Sequence, residues 1–109
     1  MARIPKSWMR GAGPLAVLKL LEGREMYGYE LAEALDRQSS GVLAMGHSTL
    51  YPLLYNLESK GLIVQRSERA DTGRMRKYYR LTSEGVRWLR QHEREWAGLI
   101  EAMGKLGLA

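Results

Sequence analysis

The chain has 109 residues, of which 45% are hydrophobic and 27% charged, a size and composition typical of one compact soluble domain. It contains no cysteine, which excludes disulfide scaffolds, thiolate metal sites and cysteine nucleophiles. There are 17 basic and 12 acidic residues, a net charge of +5, and residues 61–90 carry eight of the basic and three of the acidic ones. Such a localised positive charge is expected of a nucleic-acid-binding surface, and the alternative is a solvated face with incidental charge.

Several other classes of function are disfavoured by the sequence. The two histidines, His47 and His92, lie far apart, so neither a metal site nor a cofactor site is predicted. Motifs of hydrolases, nucleotide-binding loops and metalloproteases are absent, and the chain is not expected to be an enzyme. The longest apolar stretch, LAVLKLL, is too short for a membrane span, and no signal peptide is recognisable. We therefore expect a cytoplasmic protein without a membrane partner.

The N-terminal part is predicted to be an irregular arm followed by a buried helix. Pro5, Gly11 and Gly13 disfavour a continuing helix within residues 1–13. Pro14 suits the first position of a helix, where its missing N–H has no helical partner to lose. The residues that follow are almost all apolar, so this helix is expected to be covered on all sides.

Two helices joined by a short link are predicted next. In residues 27–38, YGYELAEALDRQ, apolar residues recur at helical spacing and charged residues lie on the opposite side. In residues 47–61, HSTLYPLLYNLESKG, leucines form a buried stripe, Ser48 or Thr49 can cap the helix, and Pro52 is placed in its first turn. This order of elements is typical of a helix-turn-helix.

A change to strand-like periodicity follows. The runs LIVQRSER and RMRKYYRLT, residues 62–69 and 74–82, flank the turn ADTG and predict a β-hairpin. Side chains alternate across a strand, so one of Tyr78 and Tyr79 is expected to face the core and the other to face outward. The hairpin carries basic residues near its tip, namely Arg66, Arg69, Arg74, Arg76 and Lys77. The predicted fold is therefore mainly α with a small β-hairpin, a winged helix-turn-helix over residues 14–82.

The last segment, residues 83–109, is predicted to be a dimerisation helix that begins at Thr82 or Ser83. Its apolar residues follow a seven-residue pattern that comprises Val86, Leu89, Trp96, Ile100 and Met103. Neither the hairpin nor the helical body needs so long an apolar seam, so a partner helix is expected to cover it. The alternative is that the helix folds back on its own domain. Glu93 lies on the same seam and can pair with a neighbouring arginine across a dimer, and glycines near the end predict fraying.

Three strings of this sequence resemble the PadR-type transcriptional regulators, a family named after the phenolic-acid-response repressor. The strings are YGYELAEAL at 27–35, TLYPLLYNLESKGLI at 49–63 and GRMRKYYRLTSEG at 73–85, and they occur in the family's order. The single C-terminal helix is similar to the short branch of the family. The resemblance implies a homodimer that binds inverted-repeat operator DNA, usually as a repressor.

The predicted helix-turn-helix and the resemblance agree on the residues that meet DNA. The N-terminal residues of the second helix of this motif point into the major groove. Here these residues are His47, Ser48, Thr49 and Tyr51. Ser48 and Thr49 can also serve as caps alone, and Tyr51 can pack inward. One of Tyr27 and Tyr29 is expected to bond the backbone through its hydroxyl and the other to pack its ring, without an assignment of which.

The basic hairpin is expected to bind DNA largely without regard to sequence. Arg74, Arg76 and Lys77 can lie along phosphates or enter the minor groove, where the negative potential is enhanced. An alternative function is a winged-helix adaptor that contacts other proteins and does not read DNA. A wing used only for protein contacts has no need of so many cations, which favours the DNA-binding interpretation.

The tryptophans of the last helix suggest a site for a regulatory ligand. Trp88 and Trp96 lie near the expected two-fold axis and can form the walls of a slot for a planar hydrophobic effector. Glu93, between them in the sequence, favours a cationic compound. The resemblance adds that some PadR-type members bind planar drugs between the dimer halves. The alternative is that both indoles only pack the interface, where aromatic residues are common.

Overall fold

The computed structural model describes residues 3–108, which form four helices and three strands. In chain order these are α1 (Lys6–Leu20), β1 (Met26–Tyr27), α2 (Gly28–Gln38), α3 (His47–Ser59), β2 (Ile63–Arg69), β3 (Met75–Leu81) and α4 (Ser83–Lys105). The predicted class, mainly α with a β-hairpin wing and one C-terminal helix, is confirmed. In the part of the chain that the structure describes, no helix is both long and apolar enough to cross a membrane.

Helix α1 begins earlier than predicted. It starts at Lys6 and runs through both glycines and Pro14, so the prediction of an irregular arm is wrong from Lys6 onward. Gly13 is closely packed and does not break the helix. A Cβ atom there would lie 3.1 Å from Leu53 Cδ1 and 3.3 Å from Met45 Cε. The buried apolar residues in the second half of α1 outweigh the low helix propensity of its first half.

A short strand that was not predicted precedes α2. Met26 and Tyr27 form β1 and pair with Tyr79 and Tyr78 of β3, so Tyr27 lies outside the helix in which it was placed. The backbone N–H of Tyr27 donates to the Glu30 carboxylate at 3.0 Å, which closes the first turn of α2. Two residues are too few to show strand periodicity, and for this reason the sequence did not reveal β1.

Helix α3 also starts earlier than predicted. Its N-cap residue is Gly46, with the extended backbone typical of a cap (φ −74°, ψ 166°) and without a side-chain cap. The prediction that Ser48 or Thr49 caps this helix is therefore wrong, since both residues lie within its first turn. Pro52 lies beyond the first turn, further into the helix than expected. The predicted buried stripe is confirmed at Leu50, Leu54 and Leu57, whereas Leu53 is half-buried.

The wing is an antiparallel hairpin that β1 extends at one edge. The strand order is β1-β3-β2, and β2 pairs with β3 from Ile63 opposite Leu81 to Arg69 opposite Met75. Gly73 closes the turn between the two strands with φ +86°, a left-handed conformation that glycine adopts without strain. The short β1 joins the wing to the start of α2, so the hairpin is fixed to the helical body by backbone hydrogen bonds.

One hydrophobic core fills the space between the helices and the inner face of the sheet. It comprises Val17, Leu18, Leu21, Met26, Leu31, Ala34, Leu35, Met45, Leu50, Leu54, Leu57, Leu62, Ile63, Tyr79 and Leu89. Tyr79 is buried and Tyr78 lies on the outer face, as the strand alternation predicted. Leu89 is 1% exposed, so it belongs to the core of the single chain. Its predicted place in a dimer seam is wrong because no surface of Leu89 remains for a partner helix.

The start of α4 is anchored against the segment between α3 and β2. Thr82 is the N-cap, and its Oγ1 accepts from the Gly85 N–H at 3.0 Å. The Thr82 N–H donates to the Leu62 carbonyl at 3.1 Å. A methyl group on Gly85 would overlap that carbonyl oxygen, so glycine permits the close approach of α4. The predicted start of the last helix is confirmed.

The other end of α4 closes in a Schellman motif. The N–H of Gly107 donates to the Gly104 carbonyl at 2.9 Å, and the N–H of Leu108 donates to the Met103 carbonyl at 3.0 Å. Gly107 adopts φ +92°, which this motif requires. The glycines predicted to fray the helix are thus accommodated differently: Gly98 and Gly104 lie inside α4, and Gly107 ends it.

Candidate nucleic-acid interface

Three aromatic rings meet where α2 and α3 begin. The rings of Tyr29 and His47 pack edge-on, with 4.8 Å between their centroids, and His47 stacks on Tyr51 at 5.5 Å. Tyr29 is 62% exposed and Tyr51 is 40% exposed, so this cluster forms part of the molecular surface. Phenolic hydroxyls and an imidazole can donate to phosphate oxygens and to the edges of bases.

Tyr51 is partly packed and partly exposed. It therefore fits in part both alternatives given for it, inward packing and contact with DNA. Its ring lies on the backbone of Gly28, where a Cβ atom would come within 3.0 Å of Tyr51 Cζ. Burial raises the pKa of Tyr79, and the nearby Tyr51 and Glu58 raise it further. The Tyr51 side chain therefore reaches from α3 towards both α2 and the wing while it remains accessible from outside.

The aromatic cluster continues onto the wing through β1. The Tyr27 ring centroid lies 6.4 Å from that of Tyr29 and 5.5 Å from that of Tyr78. The Arg76 guanidinium lies 4.5 Å from the centroid of Tyr27, a cation–π contact that holds this arginine against the helical body. Both tyrosines that flank Gly28 thus pack their rings, Tyr27 against the wing and Tyr29 against His47.

Arg66 is engaged in ion pairs within the chain. Its guanidinium donates to Glu25 through Nη2 and through Nε, with 2.9 Å from Nε to Oε1, and it donates to Glu68 through Nη1 at 2.8 Å. It also lies 4.7 Å from the centroid of Tyr78. These hydrogen bonds raise the pKa of Arg66 and lower the pKa of Glu25. Arg66 therefore joins β2 to the segment that precedes β1, across the outer face of β3.

The other predicted wing residues, Arg69, Arg74 and Lys77, lie nearer the tip than Arg66 does. Arg69 Nη1 donates to the Gly73 carbonyl at 3.0 Å and supports the turn. Arg74 and Lys77 are exposed, and neither takes part in the ion pairs found in the described part of the chain. The predicted wing residues thus fall into two groups, since two arginines fasten the wing to the body and three cations present their charge near the tip.

The first turn of α3 lies beside the aromatic cluster. Ser48 and Thr49 are exposed there, and no side chain caps the helix at Gly46. The first N–H groups of a helix lack an intrahelical acceptor, and together with the helix dipole they favour a phosphate. The four residues predicted to meet DNA are therefore all found in the first two turns of one helix, partly or fully exposed.

A second exposed surface lies on the C-terminal half of α4 and just beyond it. Its large apolar side chains are Trp96, Leu99, Ile100, Met103, Leu106 and Leu108. Three residues of the predicted seam are among them, whereas Val86 is half-buried on the same chain. The seven-residue pattern missed Leu99 and Leu106, which share one side of the helix with Trp96 and Met103 because residues three or four apart are neighbours.

Trp88, Glu93 and Trp96, the three residues predicted to bind an effector, do not line a common slot within the single chain. The Trp88 ring packs against the core and stacks on His92, with 3.5 Å between their centroids. Glu93 accepts from Lys19 Nζ of α1 at 3.0 Å, where a neighbouring arginine was expected as its partner. Trp96 is 45% exposed. Of the predicted stacking surfaces, the more open one is therefore Trp96.

A three-helix body, with an exposed polar turn on its third helix beside a basic β-hairpin, defines a winged helix-turn-helix protein. In the described residues, no group of His, Asp and Glu side chains is arranged to bind a metal ion. The profile of the transcriptional regulator PadR-like family matches residues 17–91. The chain belongs to this family and is a PadR-family transcriptional regulator, as the three sequence strings predicted.

Similar proteins are found in several bacteria. The chain is 35% identical over 80 residues to a transcriptional regulator of Mycobacterium tuberculosis, across 73% of this chain and 71% of that protein. A PadR family transcriptional regulator from Eggerthella lenta is 37% identical with a TM-score of 0.79, over 92% of this chain and 85% of the other. Bacillus subtilis PadR in complex with operator DNA has a TM-score of 0.68 at 29% identity, over 73% of this chain and 46% of that chain.

Proposed function

We propose that the protein binds specific DNA sites as a homodimer and represses transcription from them. The observation that carries the proposal is the exposed first turn of α3, which lies in the same aromatic surface as the basic wing. In this role α3 is the recognition helix, and it enters the major groove with its N-terminal end. The residues that contact bases and phosphates are then His47, Ser48, Thr49 and Tyr51.

The wing supplies affinity in this proposal. Arg74 and Lys77 are free of ion pairs in the described part of the chain, so they can neutralise phosphates without first breaking an internal contact. Arg69 supports the turn and Arg76, which packs on Tyr27, adds further charge, whereas Arg66 keeps its partners Glu25 and Glu68. The Bacillus subtilis PadR, a protein of similar fold solved on operator DNA, supports this use of the winged helix.

The C-terminal half of α4 forms the dimer interface in the proposal. It exposes a stripe of large apolar side chains, and contiguous apolar surface of this kind marks an interaction site. A two-fold axis through this helix uses the same patch on both copies and generates two recognition helices. Two recognition helices related in this way match an inverted repeat, with half-sites about one helical turn apart.

Control by a small molecule is a further part of the proposal. Trp96 offers an exposed indole on which a planar hydrophobic compound can stack, with Trp88 and Glu93 on the preceding turns of the same helix. Glu93 is paired with Lys19, so a cationic compound there must compete with that lysine. A ligand between the two copies changes DNA binding only if its affinity differs between the two arrangements of the dimer.

The experiment that tests the proposed function is selection of DNA by the purified chain from fragmented genomic DNA, followed by sequencing of the bound fragments. We expect enrichment of a motif with inverted repeats, and reduced transcription of a reporter whose promoter contains that motif. His47→Ala with Thr49→Ala should reduce the preference for the motif over random duplex. Arg37→Ala, which removes a cation paired with Glu33 on α2, is the matched control and should preserve the preference. Absence of any enriched DNA would instead support the protein-adaptor function.

A further inference from the structure

We infer that Gly28 is a positioning residue for the recognition helix. Because Gly28 has no side chain, the Tyr51 hydroxyl can rest on the backbone of α2, and this contact fixes where α3 presents its first turn. The inference rests on the proposed function of α3 in DNA binding. It adds a residue that touches no DNA in the proposal and acts only through Tyr51.

The geometry around Gly28 leaves no room for a side chain. Gly28 is the first residue of α2 and is buried. A Cβ atom at this position would overlap the Tyr51 hydroxyl oxygen and would lie 3.0 Å from Tyr51 Cζ and 3.2 Å from Cε1. Ordinary van der Waals contacts of a Cβ atom begin at about 3.4 Å, so a methyl group would push the phenol ring outward.

Movement of Tyr51 is transmitted to the start of α3 through His47. The two residues lie one turn apart on α3, and their rings stack at 5.5 Å between centroids with 19° between planes. Tyr29, the neighbour of Gly28, packs against the other side of this contact, 4.8 Å from His47. Two residues of α2 and two of α3 therefore form a closed set of contacts. A shift of α3 that relieves an added methyl group changes the contact between His47 and Tyr29, and a rotation of the Tyr51 ring changes its stack with His47.

The role differs from that of a glycine needed for its backbone conformation. Gly28 is absent from the residues with positive φ, so alanine is compatible with its backbone. Where the backbone is compatible, alanine in place of glycine reduces the conformational entropy of the unfolded chain, so this effect favours the substitution. Any defect of Gly28→Ala therefore comes from the contact with Tyr51, and removal of the Tyr51 hydroxyl, the atom that a Cβ atom would overlap, should relieve most of it.

The test is a cycle of four proteins: the natural chain, Gly28→Ala, Tyr51→Phe and the double variant. Affinity for the selected duplex is measured by fluorescence anisotropy and folding by thermal circular dichroism. Gly28→Ala should weaken binding by about tenfold, the effect of losing one or two hydrogen bonds at a misplaced recognition helix. The double variant should recover most of this loss and bind more nearly like Tyr51→Phe alone. Gly11→Ala, at a helical glycine with no other atom within 4 Å, is the control and should bind like the natural chain.

Amide chemical shifts of the free proteins provide a readout that does not depend on DNA. In Gly28→Ala the amides of residues 47–51 should shift, and in the double variant they should return towards those of Tyr51→Phe. If the natural chain binds no DNA, the proposed function fails while these shifts still test the position of α3. The inference is overturned if Gly28→Ala leaves both affinity and shifts unchanged, or if the double variant remains as impaired as Gly28→Ala. If Gly28→Ala does not fold, a folded double variant supports the inference and an unfolded one overturns it.

Discussion

The division of the wing cations into two groups makes a quantitative prediction about salt. Replacement of Arg74 and Lys77 by alanine removes two exposed wing cations that take part in no ion pair of the described part of the chain. Each phosphate contact contributes about 0.9 to the slope of log affinity against log salt concentration, so the double variant should lose about 1.8 per protomer. Between about 50 and about 200 mM salt, the advantage of the natural chain should therefore shrink about 12-fold per protomer bound.

Fluorescence anisotropy titrations of one duplex at several salt concentrations measure this slope. The matched control is Arg37→Ala with Arg87→Ala, which removes the same charge from cations that pair with Glu33 and Glu84 on their own helices. Its slope should equal that of the natural chain. The reasoning is refuted if the wing variant keeps the natural slope, or if the control loses as much, because the effect would then follow net charge and not position.

The variant Arg66→Ala tests whether Arg66 stabilises the wing within the chain or contacts a DNA phosphate. Arg66 is bonded to Glu25 and Glu68 and packs on Tyr78, so its removal should lower the thermal midpoint while leaving the salt slope close to that of the natural chain. Exposed ion pairs contribute little to stability, so the decrease should be small. A reduced slope with unchanged thermal stability would place Arg66 among the phosphate contacts.

Three further predictions concern other parts of the molecule. Leu89→Ala should lower the free energy of unfolding by about 2–5 kcal/mol in chemical denaturation, because Leu89 is buried in the core. Trp96→Ala should instead weaken self-association by about 2 kcal/mol in sedimentation. A Leu89→Ala variant that loses self-association but keeps its stability would contradict the burial of Leu89. Hydrogen bonds from Arg66 hold the pKa of Glu25 below 4.5, so this pair stabilises the fold above that pH and its contribution is lost as the pH falls further. The thermal midpoint of Glu25→Gln should therefore depend less on pH below 4.5 than that of the natural chain. The same pH dependence in both proteins would argue against the pair. Planar cationic dyes should quench tryptophan fluorescence and weaken DNA binding in the natural chain but not in Trp96→Leu. If the dyes have neither effect on the natural chain, Trp96 only packs in the interface and binds no effector.

The sequence predicted those elements whose own residues show a clear period. The alternating runs on either side of Gly73 and the leucine stripe of α3 are local signals, and both elements are confirmed. Thr82 was among the residues expected to start the last helix, since a threonine cap followed by an acidic residue is a local pattern as well. Two of the three strings that resemble PadR regulators, at 49–63 and 73–85, lie in these same elements.

The features that were missed depend on contacts between distant parts of the chain. In the sequence Gly13 is typical of a helix end, whereas in the structure it lies inside α1 and packs close to Leu53 of α3. The ion pair between Arg66 and Glu25 joins residues 41 positions apart, so no local sequence pattern distinguishes Arg66 from Arg74. Leu89 fits an apolar seam equally well whether the seam is covered by its own domain or by a partner, and only the fold shows that α1 and the core cover it.

The central claim is that the first turn of α3 and the tip of the wing bind DNA together. Amide chemical shifts of the labelled protein, recorded while the selected duplex is added, test this claim residue by residue. The account predicts that the largest changes occur in residues 47–51 and 70–77, with smaller changes at Tyr27 and Tyr29 in the aromatic cluster between them. Changes confined to the C-terminal half of α4, or spread evenly over the surface, would contradict it.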